Sequence, residues 1–137
     1  MSDQSIKWAI KGVLARGCRP GWPIDTPSFE AIEEWLVEAK SLKVKSIICL
    51  LSTKELRRMY GDQGIDLLKV YRNKKLKVKH VPTRDHVYPA LNKSQIDAIA
   101  AAFKKLPKPC LIHCSAGIER TGFVINNLLK NHCKILP

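Results

Sequence analysis

The residues with most chemistry to offer stand together at Leu111–Gly122, LIHCSAGIERTG. Cys114 follows an apolar, strand-like run, and Arg120, Thr121 and Gly122 come after five intervening residues. A turn of this length between a strand and a helix can curl so that its backbone N–H groups point inward. Such a nest holds a tetrahedral dianion, and the positive N-terminal end of the following helix adds to it. The spacing predicts that Ser115, Ala116, Gly117, Ile118 and Glu119 supply the N–H cradle, with Gly117 giving the curl its backbone freedom. Arg120 has the planar fork that makes two parallel hydrogen bonds to phosphate oxygens, which lysine lacks.

The same electropositive turn favours a thiolate at Cys114. A thiolate beneath a cradled phosphate is placed to attack phosphorus in line and form a phospho-cysteine. Thr121 can donate its hydroxyl toward that sulfur and ease its departure in a second step. His113 is expected to orient the loop through a hydrogen bond to its backbone rather than to act as a base.

The elements that must position these groups alternate along the chain. After the turn-rich Arg19–Pro23, Thr26-Pro27 offers a helix cap, and Ile32, Trp35, Leu36, Ala39 and Leu42 recur at helical spacing. Lys45–Ser52, KSIICLLS, has the continuous apolar pattern of a buried parallel strand. Leu76–Pro82, LKVKHVP, alternates apolar and basic residues as a half-exposed strand does. Asn92 or Ser94 can cap a helix with Ile96, Ile99, Ala100, Phe103 and Leu106 on one face, stopped by Pro107 and Pro109. PCLIHC is the next buried strand, and Thr121–Asn131 the helix after it. Three strands and three helices in alternation predict an α/β fold: a central, mainly parallel sheet flanked by helices, with the phosphate-binding loop between a central strand and the next helix. Ligands of open α/β sheets bind at that end of the strands.

HCSAGIERTG resembles the His-Cys-five residues-Arg-Ser/Thr-Gly signature of the cysteine-based protein tyrosine phosphatase superfamily. The resemblance implies a separate aspartic acid, on a loop some 30 residues before the nucleophile, as general acid and then general base. Asp85 in HVPTRDHVYP stands 29 positions before Cys114, with Asp62 and Asp66 as alternatives before the strand. VLARGCRPGW is similar to the family's early strand with its arginine-bearing turn, so the likeness spans nearly the whole chain. Short length and the absence of a Trp-Pro-Asp loop resemble the compact dual-specificity and atypical branch, whereas CSAGI is common in the tyrosine-specific one. The implied activity is hydrolysis of a phosphorylated protein or peptide, phosphotyrosine first, without cofactor or metal. An RNA 5′-phosphatase or a phosphoinositide phosphatase is the alternative. Relatives of those kinds carry a Thr-His pair or lysines in the loop, where this chain has Ser115-Ala116. A phosphate-binding pseudophosphatase module is the non-enzymatic alternative, against which Cys114, Arg120, Thr121 and Asp85 all stand. Glu119 departs from the small residue often found at its position. It is expected to point away from the pocket, toward Arg19 or another basic residue.

Bulk properties fit this reading. At 137 residues, 45% hydrophobic and 26% charged, the chain has the size and composition of one globular domain, 1–137, minimal or C-terminally shortened. A net charge of +12 predicts acidic partners or substrates, and the Lys69–Lys79 stretch reads as a strand edge guarded by lysines. No apolar run is long enough to span a membrane, and no secretory or myristoylation signal opens the chain, which predicts a soluble cytoplasmic protein. The five cysteines form no CxxC pair, so free thiols are expected. Cys49 is a candidate resolving partner for Cys114, and Cys110 and Cys133 read as core thiols.

Overall fold

The computed structural model describes residues 6–131. In chain order the elements are β1 (Ile6–Ile10), β2 (Leu14–Gly17), α1 (Phe29–Ser41), β3 (Ser46–Cys49), α2 (Thr53–Met59), α3 (Leu67–Asn73), β4 (Lys77–His80), α4 (Lys93–Lys105), β5 (Cys110–His113) and α5 (Glu119–Asn131), with a short 3-10 turn at Gly61–Gln63. The strands form one sheet in the order β1-β2-β5-β3-β4. Only β1 runs antiparallel to its neighbour; the other pairings are parallel.

Alternation along the strands builds a core on each face of the sheet. Ala15, Ile47 and Leu111 pack with Ile32, Trp35 and Leu36 of α1 and with Leu67 and Tyr71 of α3. Leu14, Ile48 and Ile112 face the other way, onto Ile99 and Phe103 of α4 and Val124, Ile125 and Leu128 of α5. Parallel strands buried on both faces explain the unbroken apolar run of KSIICLLS. The expected α/β class with a mainly parallel sheet is therefore what forms. No helix among the described residues is long and apolar enough to cross a membrane.

Local expectations fare unevenly. Asn92 caps α4 in a reciprocal pair with Gln95, as anticipated. The cap of α1 is Ser28, whose side chain accepts from the Ala31 N–H, rather than Thr26. β1, β2, α2 and α3 are additions to the three alternating strands and three helices expected, β2 being the early strand that the family resemblance implies. α3 takes the first half of the lysine-rich stretch, because Leu67 and Tyr71 bury one side of a helical turn between the basic residues. The second half is β4, an edge strand with Lys77 and Lys79 exposed. Cys133 lies outside the described residues.

Candidate active site

The parallel strands end in one row. Gly17 and Cys49 both pair with His113, and His80 pairs with Cys49. The loops that leave this row supply the side chains of a cleft of about 460 Å³, lined by Trp22, Asp85, His86, Cys114, Ser115, Ala116, Ile118, Glu119 and Arg120. Cys114 is buried at its floor.

The loop Ser115–Ile118 is held from outside by its carbonyls. The Arg19 N–H donates to Ser115 O at 2.8 Å, and Arg16 Nη2 donates to Gly117 O at 2.9 Å. Among the described residues, no carbonyl takes up the N–H groups of Ser115–Glu119, which are the donors an anion would need. Gly117 is obligatory here. Its φ is +80°, and a Cβ would lie 2.5 Å from the carbonyl carbon and oxygen of Gly17.

Arg120 is almost fully buried and is fixed by a residue 65 positions earlier in the chain. Its Nη1 and Nη2 donate to the two Glu55 oxygens at 2.8 and 3.0 Å, and Nη1 also reaches Thr83 O at 3.3 Å. Glu55 is itself held by the α2 capping box, where its Oε1 accepts from the Ser52 N–H at 2.8 Å. The expected two-pronged contact thus forms first with Glu55. What stays available is the Nε edge, since Nε has no hydrogen-bond partner among the described residues. Nε–H and the second proton of Nη2 lie parallel on that edge, which suits them to two oxygens of one phosphate. Burial opposes both charges, but the mutual hydrogen bonds outweigh it. They hold the Glu55 pKa below, and the Arg120 pKa above, their ordinary values.

Asp85 Oδ1 stands 3.6 Å from Arg120 Nε, half-exposed at the cleft wall. Glu119 differs from expectation. It does not reach Arg19; it lines the cleft, its carboxylate grouped with those of Asp85 and the His86 ring within 4.8 Å. All three are water-exposed, so solvent screening relieves the repulsion that predicts an outward-pointing side chain. The nearby Arg120 guanidinium opposes a cation in this group.

His113 contacts the loop backbone through Nδ1, 2.9 Å from Cys114 O, while Nε2 lies 2.8 Å from the Tyr71 hydroxyl. A carbonyl only accepts, so Nδ1 carries the proton and Nε2 accepts from Tyr71. Burial, with the nearby arginines, lowers the His113 pKa to about 4, which makes the ring a neutral strut. Thr121 Oγ1 is buried without a partner among the described residues. Cys49 is fully buried, and burial pushes its thiol up to about 12.

The structure thus brings Cys114, Ser115, Ala116, Ile118, Glu119, Arg120 and Asp85 together around one cleft, whereas His113 and Thr121 are fully buried and do not line it. Sequence reasoning missed Glu55, Arg16 and Thr83. Ser52–Glu55 did carry a readable signal, the S-x-x-E pattern of a capping box after a buried strand.

No curated protein matches the chain. Among solved structures it is similar to the core catalytic domain of the PP-IP phosphatase SIW14 from S. cerevisiae, at 19% identity and a TM-score of 0.60, over 95% of this chain and 67% of that one. It is also similar to a mutant form of Tk-PTP, at 20% identity and 0.63, over 96% and 75%. A third likeness is to kinase associated phosphatase with its catalytic cysteine replaced by serine, at 22% and 0.62, over 81% of this chain but 61% of that one. These likenesses show a shared fold. Residues 30–131, well over half of the chain, match the tyrosine phosphatase family, and the chain belongs to it.

Proposed function

We propose that the protein hydrolyses phosphate monoesters through a phospho-cysteine on Cys114, and that its substrate is a phosphotyrosine-bearing protein or peptide. The observation that carries the reading is the Nε edge of Arg120, which makes no hydrogen bond among the described residues and belongs to a residue lining the same cleft as Cys114 and Asp85. In the first step the Cys114 sulfur attacks phosphorus, the S–P bond forms and the ester P–O bond breaks. Asp85 gives its proton to the departing oxygen. Water then attacks phosphorus and surrenders a proton to Asp85; the S–P bond breaks, releasing inorganic phosphate and the thiolate. The Thr121 hydroxyl is free to donate to that sulfur, and the N–H groups of Ser115–Glu119 with Arg120 hold the equatorial oxygens.

Two features favour a phosphotyrosine peptide over a polyphosphorylated small molecule or an RNA end. Trp22 and Ile118 line the cleft while staying largely exposed, an apolar surface for an aromatic ring. Asp85 and Glu119 place two carboxylates there, which disfavours further phosphates beside the reacting one. The exposed Lys69, Arg72, Lys75, Lys77 and Lys79 of the α3–β4 segment give acidic substrates a longer-range attraction.

Turnover of aryl phosphates without added metal tests this. Cys114→Ser is expected to abolish turnover while inorganic phosphate still binds. Asp85→Asn is expected to slow an alkyl-like, poor leaving group roughly a hundredfold and a nitrophenolate far less. Full activity of Cys114→Ser overturns the mechanism, and equal loss with both leaving groups overturns the role of Asp85. Faster hydrolysis of phosphoinositides or RNA 5′-phosphates than of phosphotyrosine peptides overturns the substrate.

A further inference from the structure

Arg19 is almost fully buried, at 1% exposure, yet it has no acidic partner among the described residues. Among the described residues no carboxylate lies within ion-pairing distance of its guanidinium. Its donors go to neutral oxygens: Nη2 to Ile24 O at 2.8 Å, Nε to Ser115 Oγ at 3.2 Å and Nη1 to the Tyr60 hydroxyl at 3.4 Å. Tyr60 in turn donates to Pro20 O at 2.6 Å, so the hydroxyl can accept from Arg19. The contrast with Arg120 is plain, since that guanidinium has Glu55 and Asp85 around it. A buried charge without a counter-charge is costly, and folds seldom keep one unless something neutralises it.

The anion nearest at hand is the one the loop is shaped to receive. Arg19 grips the residue next to the nucleophile at both ends, through its N–H to Ser115 O and its Nε to Ser115 Oγ. A hydroxyl that accepts from a guanidinium keeps its own proton to give, and Ser115 lines the cleft. The same arginine accepts the Trp22 N–H on its carbonyl at 3.1 Å, so one residue ties the cradle floor to its aromatic rim.

We infer that Arg19 is a second, buried electrostatic support for the bound phosphate, a positioning residue whose charge is balanced by the anion in the loop and which aims the Ser115 hydroxyl at it. This rests on the phosphatase reading of Cys114 and Arg120. Arg120 contacts the anion, and Arg19 acts from beneath through Ser115 and through its field.

Binding of inorganic phosphate to the full chain, followed by calorimetric titration together with the melting temperature, tests the inference without needing turnover. Two variants separate charge from hydrogen bonding: Arg19→Lys keeps the charge, and Arg19→Gln keeps amide donors without it. The expected order of phosphate affinity is parent, then Lys within a few fold, then Gln weaker by roughly tenfold or more. A purely structural arginine predicts that affinity follows melting temperature in both variants, and that result overturns the inference. So does a Gln variant that binds as well as the parent, or a Lys variant that binds no better than Gln. If either variant does not fold, Ser115→Ala supplies the reading, and undiminished phosphate affinity there overturns the relay. A parent protein that binds no phosphate overturns the phosphatase reading along with it, whereas the outcomes above leave that reading standing.

Discussion

Glu55 and Arg120 form a two-pronged ion pair at 2.8 and 3.0 Å between the first turn of α2 and the first turn of α5. The carboxylate is only 12% exposed and the guanidinium 2%. Glu55 therefore decides which edge of Arg120 faces the cleft. Truncating one member of such a buried pair leaves the other uncompensated. Glu55→Ala is expected to cost about 3 kcal/mol in urea unfolding and to lower kcat/KM for an aryl phosphate roughly a hundredfold. Glu55→Gln retains the shape and should fall between. An active, equally stable Glu55→Ala variant contradicts this account of how Arg120 is oriented.

His113 makes stability depend on acid. Unfolded, its ring takes up a proton below about pH 6.5; folded, it stays neutral until about pH 4. Between those values the unfolded chain binds more protons, so stability falls as the pH falls, by roughly 3 kcal/mol in all, and this contribution is flat below pH 4. The lowered Glu55 pKa acts in the same direction, being lost as the carboxylate protonates. Urea midpoints at pH 7, 5.5 and 4.5 should decline in that order, and His113→Gln should flatten the slope above pH 4.5. An unchanged slope in the variant places the acid sensitivity elsewhere.

Gly117→Ala puts a methyl group against the Gly17 peptide and forces a left-handed backbone on alanine. Backbone strain of about 1–3 kcal/mol is expected, and more if the Gly17 peptide cannot move away. The loop should relax by displacing its N–H groups, so phosphate affinity falls by at least about tenfold. Phosphate titration of the variant gives the answer, and parental affinity would mean that the cradle tolerates a shift of its floor.

Glu119 carries a prediction about selectivity rather than rate. Because its carboxylate shares the cleft mouth with Asp85 and His86, removing the charge should help substrates that bring a second phosphate. Glu119→Gln is expected to raise kcat/KM on a doubly phosphorylated peptide by roughly threefold, with single-site peptides changed less than about twofold. Equal effects on both peptides would remove Glu119 from substrate choice.

The turn between β5 and α5 was legible in the sequence because its signals are local. A buried strand, a small-residue turn and a glycine followed by Arg-Thr-Gly occupy one dozen residues, Leu111–Gly122. Glu55 was not, since its importance comes from a partner 65 residues away that only the parallel pairing of β3 with β5 brings near. α3 escaped notice for a different reason. Two buried residues, Leu67 and Tyr71, suffice for a short helix, and lysines and arginine around them mimic an edge strand. The direction of Glu119 was misjudged because repulsion between like charges is weak when water reaches both, and sequence does not show where water reaches.

Arg19, Glu55, Asp85, Cys114 and Arg120 each follow, within seven residues, the last residue of a parallel strand: Gly17, Cys49, His80 or His113. At the opposite end of the sheet the strands begin at Leu14, Ser46, Lys77 and Cys110, and Ser46 Oγ donates there to Pro107 O at 2.6 Å. The candidate chemistry is thereby gathered at one end of the strands, together with the buried Glu55–Arg120 pair. Substitutions at the strand beginnings adjust how firmly the sheet holds without touching the cleft, whereas changes beyond the strand ends reshape the cleft and, at Glu55 or Gly117, cost stability as well.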